Sequence, residues 1–343
     1  AEKGSSARPR PAPLNKAALA SPLRVVHASF MRYGLFLAPL LAGMLLQAEP
    51  SIRLLETDKT LTLKYGDVPI LVYHVADVPP PKGVDPIYRR SGFIHPLHAP
   101  GGGVVTGIHP DDHYHHLGLW HAWVKTRYGQ HSPDFWNLGK SKTGRVRHAS
   151  IRDRRAGGFT VAQEQVAYLD GPGAEPRVIL AETLAVDAVR MAGANVVDYV
   201  LTQKNVADQT LELPQYRYGG GIAYRGPLHW NKDNSEYLTS EGLTRKDSHA
   251  TRARWVAMYG PVAYNKTPQA TVAILCHPAN HDAPQRIRTW PQGKVFFNYV
   301  PVQAKGWSVA PGQSHTLRYR IVVFDGPVKT KAIEARWKAY AAR

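Results

Sequence analysis

Apolar and polar positions along this chain alternate in short blocks. From residue 51 onward, runs rich in Val, Ile, Thr, Tyr and Phe are bounded by Gly, Pro, Asp and Asn, which is how strands joined by turns read in a sequence. The runs 61–65 and 70–75 predict an opening hairpin that turns at Gly66-Asp67. Further strands are expected over 104–108, 118–124, 145–152, 158–168, 177–187, 195–205, 270–276, 294–300 and 315–324. The runs at 177–187 and 195–203 are long enough to cross a wide sheet, so the spacing predicts an all-β chain folded as a large two-sheet sandwich. Only the end reads as helix. There Ile333, Trp337 and Tyr340 share one face, with Pro327 placed for a first turn, and the expected closing helix docks on the sandwich. No internal repeat and no linker divides residues 49–343, which read as a single domain.

The segment ahead of residue 49 follows a different pattern. Residues 1–30 are rich in Pro, Ala, Ser and Arg with no period, and read as a disordered or non-native upstream segment. Met31-Arg32 then opens an apolar run over 35–46 that ends in Leu46-Gln47-Ala48. This is the layout of a signal peptide over 31–48, with Met31 as the start and Glu49 as the first mature residue. The expected location is the periplasm or outside the cell. A short membrane anchor is the other reading of the same run, although it is short for a span.

Charge changes the picture less than its size implies. The formal net charge is +17, but six basic residues against one acid precede Glu49, leaving +12 for the rest. The remaining Lys and Arg are scattered and accompany no nucleic-acid-binding motif, so an anionic small molecule or a glycan is expected ahead of a nucleic acid. The single cysteine, Cys276, sits in the apolar run 270–276 and reads as a buried, inert thiol.

The candidate chemistry gathers in loops. Asp111-Asp112-His113-Tyr114-His115-His116-Leu117-Gly118-Leu119-Trp120-His121 holds four of the sixteen histidines beside two acids. Histidine titrates nearest neutral pH and is the commonest metal ligand, so this cluster marks a site. If the segment is extended, His113 and His115 face one side and His116 and Trp120 the other. A pair of this kind with Asp112, His95, His98 or His109 as third ligand suits one divalent transition metal. Without metal, the same imidazoles serve acid/base chemistry. The loop after residue 276 adds His277, Asn280, Arg288 and Trp290, an aromatic face beside amide and guanidinium groups that suits a sugar ring or a sugar carboxylate. Arg89 or Arg90 is a candidate carboxylate clamp, and Glu241 a candidate general acid or base. The triple glycine 219–221 lacks the Lys-Ser/Thr of a phosphate loop and reads as close backbone approach.

Several of these segments resemble one known family. They are Tyr88 to Leu97 (with His95), Gly101 to Thr106, Asp112 to Trp120, Asp134-Phe135-Trp136, and His277 to Asn280. Together, over roughly residues 60–326, they are similar to the DUF6807 family, which also carries the label PmoA. That label implies a methane oxygenase. The membrane subunit of such an enzyme crosses the bilayer several times, at about 20 apolar residues per crossing, and nothing after Glu49 comes close.

The resemblance implies instead an exported protein of carbohydrate breakdown on a sandwich like that of galactose mutarotase. By the same analogy His113, His115 or His116 and His277 hold and protonate the sugar, Arg90 binds a hydroxyl or carboxylate, and Glu241 acts as base. The leading expectation is a carbohydrate-active lyase, hydrolase or epimerase without a cofactor. The alternatives are a cupin-like metalloenzyme on His113 and His115, and a glycan-binding module whose platform is Trp120, Trp136 and Trp290.

Overall fold

The structure is a computed structural model that describes residues 51–140, 142–262 and 268–343. The expected signal peptide and upstream segment lie outside the described residues. Two eight-stranded antiparallel sheets form the body. One runs in the order Ile52–Glu56, Thr60–Tyr65, Val68–His74, Phe93–Leu97, Leu119–Trp120, Ala223–Arg225, Phe296–Val300, Arg286–Thr289. The other carries the long strands, with Ser314–Asp325, Ala194–Asn205, Arg177–Met191 and Gly158–Ala167 adjacent at its centre. The predicted hairpin is present, pairing Tyr65 with Val68 across a Gly66 of φ 56°. A small three-stranded sheet of Arg127–Tyr128, Leu211–Leu213 and Trp307–Val309 is an addition to the expected two.

Alternation along the long strands builds the core. In Arg177–Met191 the buried positions include Leu180, Leu184, Val186 and Ala188, with Glu182 on the same face. Leu184, Val186 and Ala188 meet Leu61, Leu63, Leu71 and Ile94 of the opposite sheet in one apolar cluster, while Leu180 belongs to a second. That second cluster, containing Trp120, Trp123, Phe135, Trp136 and Phe296, lies under the histidine loop. The helix Thr330–Ala341 covers the outer face of the long-stranded sheet. It does so through Ile333 and Tyr340, with Trp337 Nε1 donating to Cys276 O at 3.0 Å. Pro327 lies ahead of this helix, not in its first turn. Cys276 is buried, and burial pushes its thiol up to about 11.

Two expected strands are not continuous. Residues 104–108 keep only isolated bridges, from Val104 to His98 and from Ile108 to Leu117, and of 118–124 only Leu119–Trp120 is strand. The backbone leaves the sheet at Gly118, whose φ is 65° and whose added Cβ would strike Ile94 O. A run that alternates correctly still fails as a continuous strand where its backbone must turn at a glycine packed against the neighbouring strand.

Candidate active site

The histidine segment is a turn, not a strand. Pro110-Asp111-Asp112 is turn-forming sequence, and two successive turns follow. His113 N donates to Pro110 O at 3.0 Å and His116 N to His113 O at 2.9 Å, while His109 N donates to His116 O and closes the loop. The expected division of faces therefore fails: His113, His115 and His116 all line one cavity of about 310 Å³. The His113 and His116 rings stack at 4.8 Å, and His115 meets both edge-on.

Three strand ends close the cavity around this turn. Ala223–Arg225 pairs with Leu119–Trp120 on one side and Phe296–Val300 on the other, in a register that sets Arg225 opposite Phe296. Phe296 stacks on His116 at 4.7 Å. Arg225 is fully buried, donates to His116 Nδ1 at 3.4 Å and to Asp112 Oδ1 at 3.3 Å, and lies over the Trp290 ring. The triple glycine ahead of that strand makes the predicted close approach, since a side chain at Gly220 would collide with the Trp123 ring. Trp290 lines the cavity against His113, at 4.7 Å between ring centroids.

Burial and cations keep the imidazoles neutral. Desolvation lowers His113, helped by Arg225 and opposed by Asp112; desolvation and His113 bring His115 down to about 3; burial puts His116 well below the ordinary value. His113 Nδ1 is buried without a hydrogen-bond partner and lies 3.5 Å from Asp112 Oδ2, so a proton on Nδ1 would face that carboxylate and leave Nε2 basic. Lys140, Arg217 and Arg288 also line the cavity, and none is in an ion pair among the described residues. Asp112 is the one carboxylate lining it among the described residues, and it is engaged by Arg225. Tyr88, Tyr114, Tyr218 and Asn137 complete the wall; Tyr218 donates to Asn137 Oδ1 at 3.1 Å, and burial raises its phenol to about 12.

Other candidates stand elsewhere. His277 packs edge-on against Tyr340 and accepts from Ala279 N, and Asn280 clamps the strand Ser314–Asp325 through the Arg318 backbone. The loop they share with Trp290 therefore splits, and only Arg288 and Trp290 reach the cavity. Glu241 is half-exposed and bound to Ser240 and Arg254, outside the cavity. Arg89 pairs with Asp77 at the surface. Arg90 is fully buried, donates to His121 O, and has Nε and Nη1 without partners. His95 bonds Thr106 Oγ1 at 2.9 Å, and burial drives it down to about 4. Trp120 and Trp136 are wholly buried beneath His116 and form no exposed platform. Among the described residues no three His, Cys, Asp or Glu side chains are grouped to hold a metal ion, and no helix is long and apolar enough to cross a membrane.

The profile of a family of unknown function, DUF6807, matches residues 60–338. The chain belongs to the DUF6807 family. No curated protein matches it. Among solved structures it is similar to a polysaccharide lyase, at 10% identity over 84% of this chain and 34% of that one, with a TM-score of 0.35. It is also similar to a GH36 α-galactosidase from Geobacillus stearothermophilus, at 12% identity over 80% of this chain and 40% of that one, TM-score 0.38. A galactose mutarotase related enzyme from Lactobacillus acidophilus matches at 8% identity over 80% of this chain and 97% of that one, TM-score 0.38. The chain thus spans about a third of the lyase and 40% of the galactosidase.

Sequence reasoning passed over Tyr88, Asn137, Lys140, Arg217, Tyr218 and Arg225. Arg217, Tyr218 and Arg225 flank the triple glycine, and that flanking was the available signal: glycines that let a backbone approach closely also bring their neighbours into the packed site. Nothing in the sequence marks Lys140.

Proposed function

We propose that this protein is a carbohydrate-active enzyme that acts on an acidic sugar by proton abstraction beside the sugar carboxylate, as a lyase or epimerase. The observation that carries this is the pairing, in one cavity, of a neutral imidazole wall with three cations that stand in no ion pair among the described residues. The cations suit a substrate carboxylate, and Trp290 with Phe296 offers aromatic surface to the ring's CH faces. Hydrolysis by the usual route takes two flanking carboxylates; the cavity is lined by one, already held by Arg225.

In the proposed step His113 Nε2 takes the proton from the carbon α to the carboxylate. The bonding electrons move into the carboxylate, and Arg217, Arg288 and Lys140 stabilise the resulting enediolate. In elimination those electrons return to expel the β-oxygen substituent, which takes a proton from one of the phenols of Tyr88, Tyr114 and Tyr218. In epimerisation one of the same phenols gives its proton to the carbon on the other face, and the proton held by His113 is passed to solvent to restore the cavity. Export to the periplasm or outside the cell, as the signal-peptide pattern implies, would give the enzyme access to such sugars.

A pH profile tests the base. His113 acts when neutral, and its burial moves its titration below the value of about 6.5 for a free histidine. Activity on a uronide, followed by the ultraviolet absorbance of the unsaturated product or by epimer analysis, is therefore expected to fall only on acidification below that value and to be level through neutrality. An acid limb centred above pH 7 contradicts His113 as the base.

A further inference from the structure

The cavity continues into two further depressions. It shares Asn137, Lys140 and Tyr218 with a neighbouring hollow of about 490 Å³, which in turn shares Arg127 and Pro214 with a third of about 710 Å³ ending at Trp307. The three form one run along the surface. Its charges follow one rule throughout. Every carboxylate along it is engaged: Asp112 by Arg225, Asp134 by the backbone and side chain of Asn137, Glu212 by Arg127, and Asp282 by Arg252. Lys125 in the second hollow and Lys305 in the third are exposed and, like Lys140, stand in no ion pair among the described residues. Each hollow also carries an aromatic: Trp290 in the first, Tyr216 beside Tyr218 in the second, Trp307 under His281 in the third.

From this we infer that the substrate is an acidic oligosaccharide, bound along the run with one residue in the histidine cavity and neighbouring residues over Tyr216 and toward Trp307. The inference rests on the acidic-sugar reading of the cavity and adds the length of the substrate. A neutral glycan has no use for unpaired lysines spaced through successive hollows, whereas a chain with one carboxylate per sugar meets at least one unpaired cation in each. Asn137, Lys140 and Tyr218 stand at the junction of the first two hollows, where a glycosidic bond crosses.

The test is calorimetric titration of the full chain with oligogalacturonates and oligomannuronates of one to six units. For at least one series, affinity is expected to rise about ten-fold between one unit and three, the sum of a few partly screened charge contacts and one ring stacked on an aromatic, then to level off. Lys125→Glu with Lys305→Glu is expected to abolish that rise. Equal affinity for one unit and for six overturns the extended site while leaving the cavity's reading in place. A rise that survives both charge reversals also overturns it. No binding by any member, single units included, overturns both readings. Polyuridylate binding as tightly as the best oligosaccharide would show that the run takes a nucleic acid chain instead.

Discussion

Replacing His113 by alanine is expected to lower turnover of an acidic sugar about 10²- to 10⁴-fold, the range that a positioned acid or base contributes. The fold should survive it. His113 is half-buried at the cavity wall, its contacts are ring faces and a loose approach to Asp112, and the turn that carries it is held by backbone bonds. Steady-state kinetics beside circular dichroism separates the two effects. A fall in kcat with little change in KM and an unchanged spectrum is the predicted pattern. A fall of less than about three-fold would move the base elsewhere on the imidazole wall, since transfer of the proton by solvent does not recover so much of the rate. His116 is a positioning group by contrast, fixed between Phe296 and the Arg225 guanidinium.

The second large effect is one of stability. Glu182→Ala is expected to destabilise the fold by about 3–5 kcal/mol, because it strands a buried polar network rather than removing a surface charge. Glu182 Oε2 lies 2.8 Å from His121 Nε2, and Oε1 accepts from Gln165 Nε2 at 2.7 Å and from Gln203 Nε2. His121 Nδ1 reaches Tyr199 at 2.7 Å, and Gln203 Oε1 accepts from Trp123 Nε1 at 3.1 Å. All of these side chains lie in the interior of the sandwich. Urea unfolding checks the magnitude, and a melting temperature lower by roughly 5–10 °C is the thermal counterpart. Glu182→Gln, which keeps the shape and part of the bonding, should lose less.

The same group sets a pH dependence. Burial alone would raise the Glu182 carboxyl, but His121 and the two glutamines hold it below the ordinary carboxylate range. Its folded value is thus lower than its unfolded one. The stabilisation is complete above the unfolded value and is lost as pH falls through the folded one.

The sandwich was legible because its signal is local. Period-two alternation over 177–187 and 195–205 reports which side of a strand is buried, and the strands found there, Arg177–Met191 and Ala194–Asn205, extend those ranges, while Gly158–Ala167 ends one residue short of 158–168. Glu182 is legible by the same rule: it falls in phase with Leu180, Leu184 and Val186, which puts a charged residue on the core face. The histidine turn was legible as chemistry but not as geometry. His113 and His116 share a cavity because two turns fold them back, a tertiary outcome that alternation misassigns. The pairing of that turn with Arg217, Arg225, Arg288 and Trp290 depends on strand order, with residues 119–120, 223–225 and 296–300 adjacent though far apart in sequence. His277 and Asn280 lie close to Trp290 in the chain, and sequence proximity misplaced them for the same reason. They hold the strand Ser314–Asp325 and face away from the cavity.

If the histidine cavity selects a sugar carboxylate, calorimetric titration of galacturonate and glucuronate beside galactose and glucose, in the unaltered chain and in Arg288→Ala, shows it most plainly. The uronates are expected to bind, the neutral sugars to bind at least about ten-fold more weakly for lack of one charge-assisted contact, and Arg288→Ala to remove most of the difference. Neutral sugars binding as tightly as the uronates, or a preference for uronates untouched by Arg288→Ala, would contradict that selectivity.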